Sequence, residues 1–273
     1  MNLTTSHNLM LPGFDLPPVA LALPLAGLEL AWPQPVATPG LELIFCAGGN
    51  RKMARVAAAC GYSYGFGTPG SSDPSLPVRF IDMMNWQAPD LDLHLAAVAR
   101  HRPHIAVAPD LTDERDLTAT LRYAAKLAKY AERVLIVPKL HAITARIPRD
   151  EGLMLGYSVP TRHGGSYLFP YEYGGWDVHI LGGDPSAQMQ VYLHLLAAGA
   201  NVPTVDGNMT AKAATGGMSR GKACYWDDGE GRFVGLSSWQ GTKSEGDTTY
   251  LTAFRLSCLN VQRAWAGLLA VTA

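Results

Sequence analysis

Eight short apolar runs, separated by stretches of helical periodicity, constrain this chain more than any other feature. They cover residues 43–47, 64–67, 78–83, 104–108, 133–137, 153–159, 178–181 and 202–205, and most end in Gly, Pro, Asp or Asn. Several are continuous rather than alternating, the pattern of parallel strands buried on both faces. Between them lie helical segments. Residues 50–60 carry Met53, Val56 and Ala57 on one face and stop at Gly61. Residues 90–100 place Leu91, Leu95 and Val98 at helical spacing. Residues 112–132 open on Thr112, Asp113 and Glu114, which suit a helix N-terminus, and continue with a stripe of Leu117, Leu121, Ala124, Leu127 and Ala128. Residues 184–198 have Asp184 as N-cap, Pro185 in the first turn and Gly199 as terminator. Residues 247–269 hold Leu251, Phe254, Cys258, Val261, Trp265 and Leu268 on a regular three-four spacing.

Eight strands alternating with helices predict an α/β protein, a (β/α)8 TIM-like barrel, in preference to a doubly wound open sheet. The catalytic barrel is expected to run over 41–273 as one domain, with residues 1–40 an extension packed on it. The link between the fifth and sixth strands has room for a single helical turn. Residues 209–245 are too long for a plain loop. Their pattern Ala223-Cys-Tyr-Trp, Asp227-Asp-Gly-Glu-Gly, Arg232-Phe-Val-Gly-Leu predicts a hairpin inserted before the last helix.

Composition narrows the class. Of 273 residues 48% are hydrophobic and 16% charged, which argues against disorder. A formal net charge of −1 excludes a globally basic nucleic-acid binder, though not a basic face on a neutral protein. The four cysteines, Cys46, Cys60, Cys224 and Cys258, are too far apart for a zinc knuckle or a disulfide framework, so a reducing, cytoplasmic setting without a metal is expected. The apolar stretch 16–32 is broken by Pro17, Pro18 and Pro24 and predicts neither a membrane span nor a signal segment.

In a barrel of this kind the active site lies at the carboxyl ends of the strands, and here those ends are polar. Strand 1 ends in Cys46-Ala-Gly-Gly-Asn50, strand 3 holds Asp82 and reaches Asn85, and strand 4 ends at Asp110. Strand 7 ends in Gly182-Gly-Asp184 and strand 8 in Asp206-Gly-Asn208. Asp184 reads as a helix cap, and Asp110 as either a cap or a site residue. Asp82 has apolar flanks, a costly place for a carboxylate without a purpose, so Asp82, Asp110 and Asp206 are expected to converge on one mouth. Gly182 and Gly183 allow close backbone approach by a ligand or simply turn the chain. Basic residues follow several strand ends: Arg51, Lys52 and Arg55; Arg162 and His163; Lys212, Arg220 and Lys222. Asp113, Glu114 and Asp116 interrupt that ring on one side. A basic rim around a carboxylate pocket fits a polyanion whose reacting part enters the pocket.

The order of these motifs resembles the tRNA-guanine transglycosylase superfamily, and within it the short phage and bacterial branch that inserts 7-deazaguanines into DNA. The resemblance spans roughly residues 41–210. Phe80-Ile-Asp-Met-Met is similar to the strand with the family's first catalytic aspartate, Val107-Ala-Pro-Asp-Leu-Thr to the strand whose aspartate reads the purine edge, Val178-His-Ile-Leu-Gly-Gly-Asp-Pro to the penultimate strand, and Val205-Asp-Gly-Asn to the strand of the nucleophile. Departures are visible. Only Cys224 stands where the tRNA enzymes carry a cysteine-rich zinc site. Val137-Pro-Lys139 and Leu155-Gly-Tyr-Ser158 replace the family's glutamine and double glycine on strands 5 and 6.

The resemblance implies exchange of guanine in DNA, less readily in tRNA, for a free 7-deazaguanine base, such as the nitrile-bearing (preQ0-like) form. Asp206 would be the nucleophile at C1′ and Asp82 the acid and base. Asp110 would accept from the purine edge. Gly182 and Gly183 would donate from the backbone, supported by Ser158, Asn208 or Asn85, with Tyr157 or Phe66 stacking on the base. Arg51, Lys52, Arg162, Lys212, Arg220 and Lys222 would meet the phosphates, and Trp226 and Trp239 of the insert would add stacking surface. The same carboxylates also suit an N-glycosidase that uses water, and the same barrel a non-catalytic nucleic-acid-binding scaffold.

Overall fold

A computed structural model describes residues 34–84, 88–160, 165–166, 168–219, 221–238 and 248–272. Residues 1–33 of the expected N-terminal extension lie outside them, as do Asn85, Arg162, His163, Arg220 and Trp239. Eight parallel strands close into a barrel in sequence order: β1 (Glu42–Ala47), β2 (Ser63–Thr68), β3 (Val78–Met83), β4 (Ile105–Val107), β5 (Arg133–Ile136), β6 (Leu153–Ser158), β7 (Asp177–Leu181) and β8 (Asn201–Asp206). Closure is made by β1 against β8, with Ile44 opposite Asp206. All eight apolar runs of the sequence are strands of this barrel, so the (β/α)8 reading stands and the open sheet does not.

Helices cover the outside unevenly. Helix α1 (Arg51–Ala59) follows β1, α2 (Leu91–His101) follows β3, α3 (Leu117–Leu127) follows β4 and α4 (Pro185–Ala197) follows β7. The caps form as the sequence chemistry requires. Asn50, Asp90 and Asp184 each accept from the backbone amide of the third residue onward. Gly61 and Gly199 follow α1 and α4 at φ +89° and +79°, the left-handed conformation that ends a helix without a Cβ penalty. The segment expected as one helix from Thr112 divides instead. Asp113 caps a 3-10 turn, Glu114–Asp116, and α3 itself ends at Leu127. The β5–β6 link carries the expected single turn, Ile143–Arg146, and β6–β7 carries another, Pro170–Tyr173.

After β8 come a short helix α5 (Met209–Ala214), an antiparallel hairpin of β9 (Cys224–Asp227) and β10 (Arg232–Gly235), and the long α6 (Thr249–Thr272). The hairpin is clamped on α6. The Trp226 amide donates to Ser257 Oγ at 2.9 Å, Asn260 Nδ2 donates to the Trp226 carbonyl at 2.9 Å, and Arg263 Nε meets Asp228 Oδ2 at 2.8 Å. This corrects one expectation. Trp226 is 2% exposed, so it packs the hairpin down and offers no stacking surface.

Two apolar layers result. The larger lies between strands and helices and includes Phe45, Ile81, Ala106, Tyr157, Ile180 and Val205. The smaller fills the barrel interior with Ile44, Phe80, Ile105, Val107, Leu135, Val137 and Met154. Residues two apart on a strand share a face, so the interior positions above Ile44 and Phe80 are Cys46 and Asp82. No helix among the described residues is long and apolar enough to cross a membrane.

Candidate active site at the barrel mouth

Above the interior apolar layer the barrel turns polar. Asp206 ends β8 and is 8% exposed. Its Oδ1 is 3.2 Å from His179 Nε2, and the opposite ring nitrogen, Nδ1, is 2.7 Å from Thr204 Oγ1. His179 is fully buried and stacks on Phe80, with centroids 5.0 Å apart and planes 21° apart. The Asp206 carbonyl accepts from Gln188 Nε2 at 2.7 Å and from the Gly182 amide at 3.0 Å. Gln188, on α4, also donates to the Gly182 carbonyl at 2.7 Å. One glutamine thus pins the ends of β7 and β8 to each other.

Asp82 is held differently. Its Oδ1 accepts from the Met83 amide at 2.7 Å. Burial, with the negative charge of Asp206 next in weight, pushes its carboxyl up to about 7. Asp110 and Lys139 also act on Asp82, the first raising and the second lowering it. Asp110 is raised as well, by burial, against the opposing Lys139 ammonium, whose Nζ is 3.4 Å from Asp110 Oδ2. The thiol of Cys46, on β1 next to β8 and one strand removed from β3, is pushed well up by burial and by the charges of Asp82 and Asp206. Three carboxyl groups, one ammonium and one thiol therefore act on one another at a single mouth.

The remaining expected site residues sort as follows. Gly182 and Gly183 both have positive φ, +65° and +80°, and a Cβ at Gly183 would lie 2.6 Å from Val159 Cγ1. Backbone geometry accounts for both glycines. The Gly182 amide is spent on the Asp206 carbonyl, a correction to its expected role as a donor to the ligand. Of the two glycines, Gly183 is the one left to donate. Ser158 ends β6, where its backbone exchanges hydrogen bonds with Ser166. Asn208 is exposed at the start of α5 and makes no side-chain cap there. Tyr157 and Phe66, expected to stack on a base, are 1% and 2% exposed in the outer layer. Tyr157 packs on Tyr173 and Phe66 meets His101 edge-on, so neither faces the mouth.

Arg51 and Lys52 open α1, and Lys212 and Lys222 follow β8; all four are exposed. Arg55 is tied to the buried Asp73 at 2.8 Å and holds that carboxyl far below its usual range. On the β4 side, Asp113 pairs with Arg115 at 2.5 Å and Glu114 with Arg146 at 2.8 Å. The rim is thus cationic beside β1 and β8 and internally neutralised beside β4.

Sequence reasoning missed His179, Thr204, Lys139 and Cys46 as parts of the site. Among the described residues no group of three His, Cys, Asp or Glu is arranged to hold a metal ion. A family model described as a family of unknown function (DUF6610) matches residues 57–266, from α1 into α6, and the chain belongs to that family. No curated protein and no solved structure matches it.

Proposed function

We propose that this chain, as a member of the DUF6610 family, is a transglycosylase that exchanges guanine in DNA for a 7-deazaguanine base. One observation carries the reading: two carboxyl groups share the mouth in unlike environments. Asp206 Oδ1 lies within hydrogen-bond distance of His179 Nε2, at 3.2 Å, whereas Asp82 is pushed up to about 7 by burial and by the charge of Asp206. A hydrogen-bonded carboxylate beside a carboxyl that holds its proton near neutrality is the division of labour that double displacement at a sugar carbon needs.

In that chemistry the target nucleotide leaves the base stack, since its C1′–N9 bond is not reachable inside a duplex. An oxygen of Asp206 bonds to C1′ as the C1′–N9 electron pair leaves with the base, which takes the proton of Asp82. The incoming 7-deazaguanine gives its ring N–H proton to Asp82 and displaces Asp206 from C1′. Asp110, paired with the Lys139 ammonium, accepts as a carboxylate from the N1–H and amino group of the purine. No metal enters any step. The exposed cations beside β1 and β8 suit the phosphates that flank the flipped nucleotide.

The test is mass spectrometry of nucleosides from DNA and tRNA incubated with the protein and 7-deazaguanine bases. The expected result is a 7-deazaguanine nucleoside in the DNA digest, absent with Asp206→Asn. Incorporation into tRNA alone would change the acceptor. Release of free guanine without incorporation would mark an N-glycosidase. An unchanged digest, with DNA still bound, would mark a scaffold.

A further inference from the structure

The contacts beneath Asp206 have a chemistry of their own. His179 and Thr204 are register partners across β7 and β8, and Thr204 precedes Asp206 by two residues on the same strand face. Strand pairing alone therefore lines up Thr204 Oγ1, the imidazole and Asp206 Oδ1, at 2.7 Å and 3.2 Å. The ring is fully buried against Phe80 and has little room to turn. A neutral imidazole has one N–H, a hydroxyl can donate or accept, and an ionised carboxylate can only accept. With His179 neutral and Asp206 ionised, both hydrogen bonds are made together only when Nε2 carries the proton and the Thr204 hydroxyl donates to Nδ1.

We infer that His179 is a positioning residue, fixed in the Nε2–H form by the acceptor-only Asp206 carboxylate with Thr204 completing the chain at Nδ1, so that one oxygen of Asp206 receives a hydrogen bond from within the barrel while the other meets the sugar carbon. The consequence for the reaction rests on the transglycosylase reading; the tautomer does not. His179 keeps its proton throughout. Its hydrogen bond is stronger to the full carboxylate than to the ester carbonyl of the sugar adduct. It therefore favours the return of the C1′–O electron pair to Asp206 in the second displacement. Without it the carboxylate is more basic, still attacks, and leaves slowly, so the covalent adduct accumulates. A merely structural histidine would slow both steps and accumulate nothing.

The experiment uses the full chain labelled with 15N-histidine. Long-range 1H–15N spectra of the wild type are compared with His179→Phe, which assigns the signal, and with Thr204→Val. The expected wild-type pattern is a protonated Nε2 and a bare Nδ1, kept in Thr204→Val because the Asp206 carboxylate still accepts from Nε2. Adduct is then trapped on guanine-containing DNA without an incoming base. His179→Phe is expected to raise the ratio of adduct to free enzyme roughly ten-fold or more, as the loss of a hydrogen bond to a charged group implies, and Thr204→Val to raise it less. If His179→Phe does not fold, Thr204→Val carries the same comparison. A wild-type Nδ1–H tautomer overturns the inference, and so does an equal slowing of both steps in folded variants. If the wild type forms no adduct, the transglycosylase reading fails and the spectra alone decide the state of His179.

Discussion

The two sides of the mouth are built on opposite terms. On the β7–β8 side a chain of polar groups is bonded one to the next: Thr204 to His179, His179 to Asp206, and the Asp206 carbonyl to Gln188 and Gly182. On the β3–β5 side the carboxyl groups of Asp82 and Asp110 are buried among like charges and face one ammonium, that of Lys139. The first side holds a carboxylate in one place. The second holds the Asp82 carboxyl, raised to about 7, and the Asp110 carboxyl, raised by burial against the pull of Lys139. A satisfied polar network rigidifies, whereas an under-donated carboxyl titrates, and a nucleophile and an acid–base group differ in that same way.

Removing the fixed side should have the largest effect. Asp206→Asn keeps the shape and the backbone bonds to Gln188 and Gly182 but cannot form the sugar ester. Exchange should fall on the order of 10⁴-fold, with no trapped adduct and an unchanged circular dichroism spectrum. Retained exchange would mean that the nucleophile lies elsewhere.

Asp82→Asn should come next, costing about 10²- to 10⁴-fold in exchange, the usual worth of a general acid. It should also change stability in a direction that Asp206→Asn does not share. A carboxyl raised from about 4 to about 7 on folding binds its proton more tightly in the native state than in the unfolded one. Its contribution is therefore fully present below about pH 4 and lost as pH rises toward 7. Melting curves should show Asp82→Asn more stable than the wild type at pH 8, with the gap closing by pH 4. Wild-type exchange that needs protonated Asp82 should decline as pH rises through about 7. A variant less stable than the wild type at both pH values would show that Asp82 is not a strained acid at all.

The legibility of the two sides also differs. The barrel was readable because continuous apolar runs report strands buried on both faces, and the three aspartates stood out at the polar ends of those runs. The same continuity hid what lay inside. When both faces are apolar, alternation carries no phase, so Tyr157 and Phe66 looked available to a ligand although they point into the outer layer. His179 sat in an apolar run where a histidine ordinarily reads as core. Its partner Thr204 depends on the β7–β8 register, which includes a shift between Asp177 and His179 that no local pattern records. In the sequence Lys139 marks only a departure from the glutamine of the family the chain resembles. Its role follows from reaching Asp110, a contact across two strand ends.

Lys139→Met sharpens the comparison on the loose side with a smaller effect. Lys139 lowers both Asp82 and Asp110, so its loss should raise both carboxyls further. The high-pH decline of exchange should move to higher pH. KM for the base should rise about ten-fold, because a neutral Asp110 is the poorer acceptor. An unmoved pH profile with a normal KM would remove Lys139 from the site.

The smallest effects belong to the rim, where the comparison between sides can be tested without touching the mouth. Beside β1 and β8 the exposed cations Arg51, Lys52, Lys212 and Lys222 face solvent, whereas beside β4 Arg115 is bound to Asp113 and Arg146 to Glu114. Phosphate contacts release condensed counterions, so each one lost should lower the slope of log affinity against log salt by about 0.9 on duplex DNA. Arg51→Gln with Lys52→Gln, or Lys212→Gln with Lys222→Gln, should weaken DNA binding a few-fold near 0.1 M salt and flatten that slope, with kcat unchanged at saturating DNA. Arg115→Gln, already neutralised by its aspartate, should leave the slope as it is. If the slope is unchanged on both sides of the rim, DNA approaches the barrel from neither, and the cations beside β1 and β8 are solvated surface charge.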